Sequence, residues 1–119
     1  MKTKEVEILN KKYLMCFSNK VLQEMEQKNI KIQDLSSSEH PVSAMVDLVH
    51  AAINSGAIYA KHSGEGEYET IEKEYLMEVT GVDDLNDLVN ALQVCMIGDR
   101  QVDAVPGKNA GAAPEGLTK

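Results

Sequence analysis

The stretch Glu5-Val6-Glu7-Ile8-Leu9-Asn10-Lys11-Lys12-Tyr13-Leu14-Met15-Cys16-Phe17 decides how the rest of the chain is read. Val6 and Ile8 alternate with Glu5, Glu7 and Leu9, and further on Tyr13, Met15 and Phe17 alternate with Leu14 and Cys16. A repeat of two is the side-chain period of a β-strand. Asn10-Lys11 lies between the runs, and asparagine tolerates the left-handed backbone that a two-residue hairpin turn demands. In that register Ile8 faces Tyr13 and Val6 faces Met15, so Val6, Ile8, Tyr13, Met15 and Phe17 share one apolar face. The other face mixes Glu5 and Glu7 with Leu14 and Cys16, which predicts a half-solvated surface where a partner docks.

Outward from the hairpin the period becomes helical. Ser18 is placed to cap a helix carrying Val21, Leu22 and Met25, which runs out near Lys28-Asn29. Ile30 to His40 reads as a loop leading to Pro41 in the first turn of the strongest helix. There Val42, Met45, Val46, Val49 and Ile53 fall at i, i+3, i+4, i+7 and i+11, a continuous stripe for burial. Gly56 interrupts this helix, yet Ala57, Ile58, Tyr59 and Ala60 carry it on to His62 at a cost of roughly 1 kcal/mol. After the break at Ser63-Gly64-Glu65-Gly66, Ile71, Tyr75, Leu76 and Val79 predict a third helix stopped by Gly81 as a left-handed cap. Asp83 or Asp84 then caps a fourth, with Leu85, Leu88, Val89, Leu92 and Met96 on one face and Gly98 at its end. Beyond Asp99 the Pro and Gly residues show no apolar period and predict a disordered tail. The expected architecture is a mainly helical α+β domain over residues 1–98, an N-terminal β-hairpin packed on about four α-helices, followed by a flexible tail over 99–119.

A chain of 119 residues has room for one modest core. Its apolar runs are too short to span a bilayer, and Met1 to Glu7 has lysines but no apolar stretch behind them, so a cytoplasmic protein without a secretory signal is expected. Net charge is −7 and uneven. Residues 1–33 hold seven Lys against four acids, net +3, and residues 34–119 hold five bases against fifteen acids, net −10. So acidic a surface repels phosphate backbones, which predicts no direct nucleic-acid binding.

Chemistry-bearing patterns are scarce. His40, His50 and His62 stand 10 and 12 residues apart, unlike zinc ligand pairs. Asp83-Asp84-Leu85-Asn86-Asp87 lacks the central glycine and distal glutamate of a calcium loop and reads better as helix capping. Gly64-Glu65-Gly66 lacks the strand and third glycine of a dinucleotide site. Cys16 and Cys95, far apart, read as buried thiols. No metal, cofactor or catalytic residue is therefore expected. What remains is apolar surface. Six methionines, one phenylalanine and no tryptophan make a soft core, and Met-bearing faces suit adaptable binding as readily as gap filling. The candidate partner-binding residues are Leu14 and Cys16 on the second hairpin face and Met45, Val49, Ile58 and Tyr59 on the long helix.

The run Val6 to Ser18, the Leu22-x-x-Met25 helix and the long Pro41 to Ala60 helix together resemble the phage tail assembly chaperones, in which a short N-terminal hairpin precedes a compact set of helices and a low-complexity end. The likeness covers most of the chain and is one of architecture and rhythm, with no invariant motif. It implies a protein of the bacterial host cytoplasm, absent from the mature virion, that keeps the helical tape measure protein soluble until tail-tube subunits polymerise around it. It also implies a frameshifted extension that recruits tail-tube protein. Gly107, Lys108 and Asn109 can be written as a run of purines compatible with slippery codons, and equally as an ordinary linker. Self-association into a homo-oligomer is left open. The competing expectation, from another class, is a small acidic regulator that mimics nucleic-acid charge and occupies a nucleic-acid-binding protein; it requires the acids to line one exposed face.

Overall fold

The computed structural model describes residues 2–104, and the side chains of residues 2–96. Strands β1 (Thr3–Ile8) and β2 (Lys11–Cys16) form an antiparallel hairpin. Helices α1 (Asn19–Gln27), α2 (Pro41–Ser63), α3 (Lys73–Val79) and α4 (Val82–Ala104) follow, with a 3₁₀ segment at Ile32–Ser37 before α2. The α+β reading therefore holds: one hairpin on four helices.

The hairpin turns at Leu9-Asn10, not at Asn10-Lys11. Both residues are left-handed, with φ of 49° and 65°, as a turn matched to strand twist requires. The register is accordingly Ile8 to Lys11 and Val6 to Tyr13, two residues away from the expected pairing. A shift of two preserves side-chain parity, so Val6, Ile8, Tyr13 and Met15 still share one face. The other face differs from expectation. Leu14 and Cys16 are buried as fully as Tyr13 and Met15, so only its β1 half, Glu5 and Glu7, is open to solvent.

α1 begins after Ser18 and ends in a Schellman arrangement, with Asn29 left-handed and the Ile30 N–H donating to the Met25 carbonyl. The Ser18 hydroxyl pairs with Ser55 of α2, which fixes the start of α1 on its neighbour. α2 is the centre of the molecule and packs against β2, α1, α3 and α4. Its burial is wider than the stripe read from the sequence: Ala44, Leu48, Ala51, Ala52, Ala57 and Ala60 are buried with Val46, Val49 and Ile53, whereas Val42 at its first turn is exposed. Gly56 does not interrupt it. A Cβ at this position would lie 2.0 Å from the Leu14 carbonyl oxygen, so the absence of a side chain lets α2 ride directly on the backbone of β2. Gly64, left-handed at φ 77°, ends α2.

α3 closes at Thr80, whose backbone is extended and whose hydroxyl donates to the Leu76 carbonyl. Gly81 is not the left-handed cap expected. It instead opens α4, its N–H donating to Asp84 Oδ2 at 2.9 Å, a carboxylate reaching back from the third helical position. α4 buries Leu85, Leu88, Val89, Leu92 and Cys95. The helix continues through Gly98 to Ala104, so the boundary expected at residue 98 falls inside it. The remainder of the expected tail, 105–119, lies outside the described residues.

Candidate functional site

Two polar clusters on α2 carry two perturbed titrating groups, Asp47 and His50. Asp47 is buried and meets Lys73 Nζ at 2.6 Å and Lys28 Nζ at 3.3 Å. Burial alone would raise its pKa, but hydrogen bonds and charge from Lys73 and Lys28 outweigh it and hold the carboxyl below the usual range. Two turns on, Asn54 accepts the Ile71 N–H at Oδ1, so its amide nitrogen faces His50 Nε2 at 3.0 Å as donor. That assigns Nε2 as the unprotonated nitrogen. Burial, with Lys28 nearby, lowers the His50 pKa and favours that neutral form. The Asp47 cluster binds the end of α1 and the start of α3 to α2, and the Asn54 cluster binds the segment just before α3. They are fasteners: among the described residues no group of three or more His, Cys, Asp or Glu is placed to hold a metal ion.

The predicted partner-binding residues are not brought together. Leu14, Cys16 and Val49 are core, Met45 and Tyr59 are half-buried, and Ile58 stands 56% exposed. Cys16 Sγ lies 3.4 Å from Ser55 Oγ and Cys95 Sγ 3.8 Å from the Met15 carbonyl, so both thiols are buried in polar contact. Gly107, Lys108 and Asn109 lie outside the described residues.

Sequence reasoning missed a groove of about 370 Å³ where the hairpin meets the α3–α4 junction. Val6, Ile8, Val79 and Leu88 supply its apolar lining, and Glu7, Asp84 and Asp87 its charge. The alternating β1 sequence and the acidic start of α4 were each legible. Their meeting is not, because it depends on how α4 lies across the hairpin. A second feature is the acidic segment from Glu65 to Asp87, which carries nine exposed carboxylates and one base, Lys73, already engaged by Asp47. No helix among the described residues is long and apolar enough to cross a membrane.

Compared with protein-family models, with curated proteins and with solved structures, the chain has no match in any of the three.

Proposed function

We propose that this protein acts by binding other proteins, and that it is a tail assembly chaperone holding an apolar helical partner, the tape measure protein, in solution. The observation that carries the reading is the apolar side chains left exposed on its helices: Leu22 of α1, Ile58 of α2, Tyr75 and Met77 of α3 and Val94 of α4. Burial of such side chains against a partner needs neither nucleotide nor metal. The carboxylates between them favour solubility of the free protein and of the complex. The tail-specific form rests on the likeness of hairpin and helix rhythm. Recruitment of tail-tube protein through a frameshifted extension belongs to the same proposal.

Co-expression with tape measure fragments tests it: their soluble yield should rise, and Ile58→Asp, which alters an exposed position, should reduce that gain while the protein's own melting temperature stays the same. Equal precipitation with and without the protein removes the reading. A second reading, charge mimicry toward a nucleic-acid-binding protein, is favoured by the nine exposed carboxylates of the Glu65 to Asp87 segment. It predicts capture of a basic enzyme that weakens steeply with salt, since exposed charges are screened within about 10 Å at 0.1 M.

A further inference from the structure

The two edges of the hairpin differ. With a two-residue turn, Ile8 and Lys11 form a hydrogen-bonded pair and the ladder alternates from there. Val6 and Lys4 therefore bond across to β2, while Thr3, Glu5 and Glu7 turn their N–H and C=O groups outward. On β2 the outward groups belong to Lys12, Leu14 and Cys16, and α2 covers that edge at Leu14, where Gly56 lies on the carbonyl. On β1 no backbone partner for Thr3, Glu5 or Glu7 outside the ladder occurs among the described residues, and both glutamates are exposed. An open strand edge is a template for another strand.

The groove runs beside this edge. Its apolar lining lies on the Val6 and Ile8 side of β1, Asp84 and Asp87 stand at the same groove, and among the described residues no Lys or Arg lines it. On the other side of the strand the Glu5 carboxylate accepts from the Tyr68 hydroxyl at 2.8 Å and stands 3.6 Å from Lys12 Nζ, while Glu7 is exposed and also borders the groove. At its mouth Leu9 is 63% exposed and left-handed, a conformation that leucine avoids and that Asn or Gly would take without cost. Strain of this kind gathers at binding sites. A second copy of the chain fits poorly. Antiparallel pairing of two β1 edges keeps residues of one parity on one face, so a register centred on Glu5 sets Glu5 against its own copy, and one pairing Glu5 with Glu7 sets both glutamates against carboxylates.

We infer that the β1 edge takes up an extended segment of a partner protein in which apolar residues alternate with Lys or Arg. Its main chain bonds to Thr3, Glu5 and Glu7 as a third strand. Its apolar side chains lie over Val6, Ile8 and Leu88, and a cation stands over Glu7, since Glu5 is already met by Lys12 and Tyr68. The carboxylates of Asp84 and Asp87 add to the field that draws it in. This surface is separate from the exposed helix side chains and stands or falls independently of the tail-assembly reading.

The test uses the full-length protein and a short acetylated peptide alternating valine and lysine. On binding, the Glu5 and Glu7 amide protons should become protected from exchange in NMR spectra. N-methylation of the peptide amides that face β1 should abolish binding. Glu7→Lys should weaken it about tenfold without moving the melting temperature. Absence of protection overturns the inference, as does equal binding of a valine–glutamate peptide or of a basic amphipathic helix. Protection that rises with protein concentration in the absence of peptide would assign the edge to a second copy and overturn it too.

Discussion

Alanine is a better helix former than glycine by about 1 kcal/mol, yet Gly56→Ala is expected to destabilise this protein. The new Cβ would meet the Leu14 carbonyl 2.0 Å away, a backbone atom that cannot swing aside. Overpacking of this kind costs about 3 kcal/mol, which should appear as a lower urea midpoint with an unchanged slope; a raised midpoint would contradict the close approach. The sequence shows a glycine within a helical pattern, and intrinsic propensity alone reads it as an interruption. Nothing local distinguishes a break from a contact. Asp47 behaves differently. Its carboxyl is held low by Lys73 and Lys28, so its stabilising contribution is present above the ordinary carboxylate range and is lost as pH falls through the lowered value. Asp47→Asn should destabilise at pH 7 by about 1 kcal/mol, a modest figure because both lysines are partly solvated. The variant should also lack part of the acid-induced loss seen in the wild type, measured by urea unfolding across pH.

Among the four α-helices, α3 has the lightest attachment: seven residues with Leu76 as their one buried side chain, held by the Asn54 bond to Ile71 and the Lys73 contact with Asp47. Asn54→Ala should raise hydrogen exchange in α3 and the segment before it while leaving α2 and α4 protected; uniform exchange across the chain would show that α3 unfolds only with the whole. Protonating His50 Nε2 would set two donors against each other at Asn54. The His50 pKa is lowered by burial, so this contribution is complete above the ordinary imidazole range and declines as pH falls through that range toward the lowered value. Helices α2 and α4 are legible because their apolar periods are long and regular, and the hairpin because its apolar residues alternate on both sides of Asn10, whereas the short α1 and α3 are marked mainly by the Ser18 and Gly81 boundaries. The turn was displaced by one residue since Leu9 is a poor left-handed residue and Asn10-Lys11 a better one by local rules. Alternation places Leu14 and Cys16 on an open face because it describes a strand covered on one side, and β2 is covered on both. The 3₁₀ segment at Ile32–Ser37 has too short a pattern to announce itself.

At the level of the molecule, carboxylates crowd the segment from Glu65 to Asp87 with little compensating cation nearby. Moderate salt should therefore raise the melting temperature by screening their mutual repulsion, an effect largely complete by about 0.15 M where the screening length is about 8 Å. A fall with added salt would show that ion pairs such as those at Asp47 outweigh the repulsion. The groove between β1 and α4 was not legible at all, since it joins residues from opposite ends of the sequence. The same joining governs how the protein is made. β2 buries four consecutive side chains, Tyr13 to Cys16, under cover that arrives late: Ser55 reaches Cys16 from 39 residues downstream and Cys95 reaches Met15 from 80. On the ribosome the hairpin emerges first and must wait, apolar and uncovered, until α2 and then α4 leave the exit tunnel. Folding should therefore be slow for a mainly helical chain of this size, and the interval of translation before α4 is the one in which the nascent protein most needs protection from aggregation.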